Sequence, residues 1–318
     1  MPEFQTKIVI CICTYDRYEE LPKAIDSAAA QTLSVDDFEI LVVDNSPDHD
    51  RAEAFGNGVG DIPNLTYVVE ETAGLSNARN VAARLAEAPI IAYLDDDAVA
   101  SPEWAFEILK AFDTFGPLTS IVGGRVDPIW GAPRPPWLHD SLVANLSVVD
   151  WGGDDARLAA PHEWFAGANI AFRVAAIRRF GGFATNLGRK GSSATLMSNE
   201  EAQLVEKIRA AGELVVYAPK ARVGHLVEEK RLERSWFRRR TAWQAVSDFT
   251  LDPGARSAEV RQEWGRVVKY FNAVPPLERT LRGLYFETDD PDLFRWQVGT
   301  VYMTTLAALA GFEGVELD

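Results

Sequence analysis

Ile90-Ile91-Ala92-Tyr93-Leu94-Asp95-Asp96-Asp97 is the stretch on which the reading of this chain turns. A short apolar run of this length reads as a fully buried strand, and it ends abruptly in three consecutive carboxylates. Three like charges without partners are expensive to bury, so they belong where the strand emerges into solvent or onto a cation. In open α/β sheets the carboxyl ends of parallel strands are where ligands bind. Carboxylates at such a place suit a hard divalent ion, Mg²⁺ or Mn²⁺, that keeps several waters and shares phosphate oxygens with a substrate. A helix start is the competing account, since Asp97 to Ser101 precede Pro102-Glu103-Trp104 and acids offset a helix macrodipole. That account explains one carboxylate and leaves two.

Upstream, the chain alternates. Lys7 to Cys13 (K-I-V-I-C-I-C) reads as a first buried strand, followed by the loop Thr14-Tyr15-Asp16-Arg17 and a helix over Glu19 to Gln31. Phe38 to Val43 reads as a second strand, ending in Asp44-Asn45-Ser46, with a helix from Asp48 to about Asn57. Leu65 to Val69 is a third strand, and Gly74-Leu75-Ser76-Asn77-Ala78-Arg79-Asn80 opens a helix that runs to Glu87. This βαβαβαβ order predicts a doubly wound, mainly parallel sheet, with Thr14, Arg17, Asp44, Ser46, Ser76, Arg79 and the three aspartates gathered on one rim. No G-x-x-x-x-G-K-[ST] loop is present, and Gly56-Asn57-Gly58-Val59-Gly60 lacks the spacing of a dinucleotide fingerprint. P-loop and NAD-dependent enzymes are set aside on that ground.

C-T-Y-D-R after the first strand, V-V-D-N-S after the second, then G-L-S-N-A-R-N and L-D-D-D, resemble the nucleotide-sugar half of family 2 glycosyltransferases. The likeness covers roughly the first 230 residues. It implies the GT-A fold and roles by position: Thr14, Tyr15 and Arg17 line the nucleotide pocket, together with Ser46, Ser76 and Asp96. Asp44 accepts from the base edge, and Arg79 lies beside the base or phosphates. Asp95 and Asp97 become the outer members of a D-x-D motif, Asp95 toward ribose and metal and Asp97 on the metal. A nucleotidylyltransferase would carry a G-x-G-T-R loop where C-T-Y-D-R stands, and a non-catalytic module of the same fold would keep the nucleotide site without a base.

Beyond the aspartates the sequence predicts a helix from Pro102 to about Phe115 and a strand around Ser120 to Val122. The proline-rich Trp130 to Trp137 (W-G-A-P-R-P-P-W) is read as an ordered loop whose tryptophans are buried. Trp164, Gly167 and Asn169 resemble the family's G-x-N segment, which approaches donor sugar and acceptor. A helix is expected from Arg173, and the polar stretch Lys190 to Ser198 is a candidate lid. Ser198-Asn199-Glu200-Glu201 opens another helix, where the S-x-x-E spacing fits a capping box. The family places its catalytic base here, which selects Glu201, with Glu200 as the alternative. Val215 to Tyr217 and Arg222-Val223 read as two short strands, and the resemblance makes the following His225 the third metal ligand.

The chain has 318 residues and a formal net charge of −15, which argues against a nucleic-acid partner. Cys11 and Cys13, the only cysteines, are expected on opposite faces of the first strand as reduced core thiols. The N-terminal residues show no signal-peptide pattern and no apolar run suits a membrane span, so a cytoplasmic protein is expected. Arg231, Arg234, Arg238, Arg239 and Arg240 crowd a helical stretch with Trp236 and Phe237. They admit peripheral contact with the inner face of a membrane, or pairing with acids of this chain. The expectation is a GT-A catalytic domain over 1–227, with a nucleotide-sugar half (1–97) and an acceptor half (98–227), and a helical extension over 228–318. It would be a metal-dependent, inverting enzyme that moves a sugar from a nucleotide sugar to a glycan or lipid-linked acceptor. Its oligomeric state, a homodimer included, is left open.

Overall fold

The computed structural model describes residues 6–160, 163–189, 191 and 196–311. Contacts divide the chain into two compact units, one of residues 1–129, 147–193 and 200–226, the other of 130–146, 194–199 and 227–318.

The first unit opens as the alternation of apolar runs and amphipathic segments dictates. Strand β1 (Ile8–Thr14), helix α1 (Leu21–Ala29), β2 (Phe38–Asp44), α2 (His49–Gly58), β3 (Leu65–Val69), α3 (Leu75–Leu85) and β4 (Ile90–Asp95) follow one another. The continuous Val/Ile runs of β1 and β2 have no polar face because helices cover both sides of the sheet. Four strands in the order β3-β2-β1-β4 pair in parallel. Thr14 stands opposite Asp44, and Cys13 opposite Asp95, so the polar strand ends meet on one rim by register.

The sheet as a whole is mixed, not mainly parallel. After β4 the chain makes a tight turn into β5 (Ala98–Ala100), α4 (Trp104–Phe115), β6 (Thr119–Trp130), the two-residue β7 (Ala156–Arg157) and β8 (Ile170–Arg173). Helices α5 (Val174–Arg179) and α6 (Glu200–Ala210) and the long strand β9 (Leu214–Val227) complete it. β8 runs antiparallel to β4 and β6, and β5 and β7 run antiparallel to β9. The aspartates are therefore followed by a strand, and the helix begins only at Trp104. The two short strands expected near Val215 and Arg222 are one strand of 14 residues that runs through Pro219. Cys11 and Cys13 share a face, as residues two apart on a strand must, and their sulfurs lie 3.7 Å apart.

The second unit is helical: α7 (Arg234–Leu251), α8 (Pro253–Ala273) and α9 (Pro291–Leu309) pack together over Ala245, Val260, Val267, Met303 and Leu306. Asp252 and Asp290 cap α8 and α9 through their side chains, each before a proline in the first turn. Trp137 of the proline-rich loop is buried edge-on against Phe237 and Phe294. Part of the arginine-rich stretch is turned inward: Arg231 and Arg238 are buried, Arg234 pairs with Glu287 and Asp289, and Arg238 reaches Glu287 and Gln297, while Arg239 is exposed. Arg234 and Arg238 thus pair with acids of their own unit, one of the two readings the sequence offered for this stretch. Among the described residues no helix is long and apolar enough to cross a membrane.

Candidate functional site

The three aspartates part ways at the end of β4. Asp95 keeps about a third of its side chain exposed, whereas Asp96 and Asp97 turn inward. Pairing of β5 with β9 sets Ala98 opposite His225, and the Leu226 amide donates to the Asp97 carbonyl at 2.9 Å. That register carries the buried imidazole to the acids, with Nε2 3.3 Å from Asp97 Oδ1. Asp95, Asp97 and His225 each present a donor atom within 4.8 Å of the others. The buried Nδ1 of His225 has no hydrogen-bond partner among the described residues. With the proton on Nδ1, the Nε2 lone pair faces the cluster, and two carboxylates with one imidazole form a donor set that accepts a borderline-hard divalent cation.

Asp96 serves differently. Its carboxylate accepts from the Thr14 hydroxyl at 2.8 Å and lies 3.6 Å from Arg17 Nε. Burial and the charge of Asp97 push it up to about 7, against the pull of Arg17. Arg17 also reaches Asp97 at 3.0 Å, so the guanidinium expected to line the nucleotide pocket sits on the acid cluster. Thr14 is likewise buried beneath that cluster, while Tyr15 remains partly exposed.

Asp44, fully buried, accepts from the hydroxyls of Tyr18, Tyr67 and Ser46 and from the Ser46 amide. Burial, followed by the Asp44 carboxylate, pushes the Tyr67 phenol far up, and burial pushes Tyr18 up to about 12. Ser46 in turn accepts from the Asp16 amide at 2.7 Å, which holds Asp16 at a φ of +54° in the loop after β1. Neither tyrosine was legible as a site residue, because only strand order puts β3 and the turn before α1 beside Asp44.

Arg79 turns into the protein. Its guanidinium is buried below the rim, between the rings of Tyr93 and Phe183. Nη1 donates to Glu201 Oε1 at 2.6 Å and to Glu200 Oε1 at 3.0 Å, and Nη2 lies 3.6 Å from Asp95. One cation thus bridges the metal-type cluster and both candidate bases. Desolvation alone would lower its affinity for protons, but the acids around it, Glu201 first, outweigh that and hold the guanidinium charged. Glu201 spends its carboxylate on Arg79 and is not turned back as a helix cap. Gly167 is required here: a Cβ would stand 2.2 Å from both Arg79 Nη2 and Glu201 Oε1.

Glu200 and Glu201 are adjacent, but their surroundings differ. Glu200 is buried, its Oε2 has no partner among the described residues, and burial with the charge of Glu201 pushes it up to about 8. Glu201 keeps 16% of its side chain exposed. Ser76 donates to the Leu187 carbonyl at 3.0 Å, and Asn80 both donates to and accepts from the Phe183 backbone, so α3 pins the segment leading toward the candidate lid. Most of that lid, Lys190 and residues 192–195, lies outside the described residues. Trp164 accepts from the Trp151 indole at its backbone carbonyl. Asn169 sits at a junction of elements. It is fully buried, accepts from Trp104 Nε1 at 2.8 Å, and donates to the carbonyls of Arg125 and Ala221.

The family model described as Glycosyl transferase family 2 matches residues 9–180. A glucosyl-dolichyl phosphate glucuronosyltransferase of Haloferax volcanii is 29% identical over 249 residues, covering 77% of this chain and 77% of its own. Among solved structures, the mannosyltransferase PcManGT of Pyrobaculum calidifontis, in complex with GDP-Man and Mn²⁺, is similar at 18% identity and a TM-score of 0.53, covering 99% of this chain and 77% of that one. Residues 1–349 of S. aureus TarS, in complex with UDP, align at 16% identity and a TM-score of 0.55, over 98% of this chain and 94% of that one. At these identities the likeness shows the fold, a curled mixed sheet of the GT-A kind.

Proposed function

The chain belongs to glycosyl transferase family 2 and is a glycosyltransferase, and from that premise we propose that it is a metal-dependent, inverting enzyme with a nucleoside diphosphate sugar as donor. UDP is the nucleotide we assign, with a hydroxyl of a lipid-linked or glycan acceptor as the receiving group. The observation that carries this reading is the convergence of Asp95, Asp97 and His225 beside Arg79, which holds Glu201 at the same rim. A lipid-linked acceptor is supported by the Haloferax relative, whose name specifies a dolichyl phosphate substrate. UDP is supported by the TarS complex, and Mn²⁺ by the mannosyltransferase complex.

Asp95, Asp97 and His225 would hold Mn²⁺ or Mg²⁺, which when bound offsets charge on the departing diphosphate. Glu201, paired with Arg79 and partly exposed, accepts the proton of the acceptor hydroxyl as that oxygen attacks the anomeric carbon. The bond from the anomeric carbon to the diphosphate breaks in the same displacement, which inverts the centre. Glu200, buried and neutral at physiological pH, adds no second negative charge to compete for Arg79.

Calorimetry with UDP tests the metal assignment. Affinity is expected to rise at least tenfold when EDTA is replaced by Mn²⁺ or Mg²⁺, and Asp97→Asn should abolish that gain while the unfolding temperature holds. Equal affinity with and without the ion would sink the metal role.

A further inference from the structure

The two residues ahead of the acid pair are bonded to the helical unit. Residues 194–199 group with that second unit, and Glu200 opens α6 in the first. The chain passes from one to the other at the peptide bond between Asn199 and Glu200.

Within the second unit, α7 holds both residues before that bond. The Ser198 amide donates to the Ser247 hydroxyl at 3.0 Å, and the Ser198 hydroxyl donates to Gln244 Oε1 at 3.2 Å. Asn199 donates through Nδ2 to Asp248 Oδ1 at 2.5 Å and accepts from Gln244 Nε2 at 2.9 Å. Gln244 also donates to Asp248 Oδ1, and Tyr302 on α9 donates to Oδ2 at 2.7 Å. Three donors thereby fix the Asp248 carboxylate.

Asn199 needs that hold. Its φ is +79°, in the left-handed region that strains any residue with a Cβ, asparagine less than most. Its side-chain bonds to α7 offset the strain. The helix start is unusual as well. Serine or asparagine ahead of a helix ordinarily caps the first turn, with a glutamate three residues on turned back. Here both side chains are engaged with α7, and Glu201 is engaged with Arg79. The capping box legible in the sequence is thus taken apart, which leaves the Glu201 carboxylate for Arg79.

A base must lie within hydrogen-bond reach of the proton it takes, and a displacement of about 1 Å can cost on the order of 10²-fold. Glu201 stands two residues beyond the turn at Asn199, so rotation at that turn swings it directly. We propose that Gln244 and Asp248 are positioning residues for glycosyl transfer, which lock the turn at Asn199 and thereby aim Glu201. The proposal rests on Glu201 as the base, and it gives the helical unit a part in turnover.

A reciprocal exchange of side chains tests it. Asn199→Asp sets a carboxylate against Asp248, and adding Asp248→Asn restores a donor and an acceptor with the roles reversed. The probes are UDP release from UDP-glucose or UDP-glucuronate, with water in place of the acceptor, and calorimetry of UDP with Mn²⁺. Asn199→Asp is expected to lower the rate by about tenfold or more with UDP affinity within about threefold of wild type, and the double variant should recover the rate. Asn199→Gly accepts a positive φ and lacks the side chain, so it should fold and show the same loss. Its crystal structure needs no substrate: Glu201 should have left Nη1 of Arg79. Asn199→Gly at the wild-type rate, Glu201 still on Nη1, or UDP affinity that falls in step with the rate each overturns the proposal. So does a folded double variant that does not recover. Glu201→Gln is measured alongside. If it turns over like wild type, the base reading falls and takes this proposal with it; if it is inactive while the Asn199 variants are not, only the positioning role falls.

Discussion

Glu200 and Glu201 share one nitrogen of Arg79, yet one is buried and the other reaches the solvent side of the rim. Their roles should separate under isosteric substitution. Glu201→Gln is expected to cut single-turnover transfer by about 10²-fold or more with donor affinity nearly unchanged. Glu200→Gln replaces an acid that is already neutral near pH 7, so it should cost less than about tenfold. Complete loss in Glu200→Gln with activity kept in Glu201→Gln would reverse the assignment. Gly167→Ala places a methyl against Arg79 and Glu201, and should lower turnover more than it raises donor KM. The DDD run, His225 and the acid pair were legible because each follows an apolar run or opens a helix in the family's order. The acid partners of Arg79 were not legible: a helix-opening arginine carries no local sign that three acids from distant segments will enclose it.

At the scale of elements, Asn169 ties α4, β6 and β9 together through one accepted and two donated hydrogen bonds. Asn169→Ala would leave the Trp104 indole and two carbonyls unpaired in the interior. We expect a loss of about 2–4 kcal/mol, read as a fall in unfolding temperature. Donor KM of the folded fraction should stay close to wild type. A clear rise in KM without destabilisation would return Asn169 to the sugar site. The same three bonds show what the sequence could not: a G-x-N pattern can serve a ligand or a junction, and the neighbours of the amide are known only from the fold.

At the scale of the molecule, pH acts through Glu200. Its carboxyl titrates near its ordinary value in the unfolded chain and at about 8 when folded, so the folded state holds the extra proton between those two points. That contribution is fully present below the unfolded value and is lost as pH rises through 8. Repulsion within a chain of net charge −15 grows in the same direction. Unfolding temperature should therefore fall between pH 6 and pH 9, and Glu200→Gln should flatten the slope. A wild-type curve that rises over this interval would contradict the burial of Glu200.

The order of strands and helices through Asp97 was set by the sequence, because apolar runs flanked by amphipathic segments leave one economical way to bury both faces of a sheet. So was the identity of the metal-type residues, since carboxylates at the end of a buried strand have few other places to go. Strand direction beyond β4 was not, because a strand has the same side-chain period whichever way it pairs. Nor was the partner of Arg79, or the inward turn of Arg231 and Arg238, because a cation is indifferent to which acids surround it until the fold brings them near. Tertiary structure decided those points through contacts between residues far apart in the chain, where local pattern carries no information.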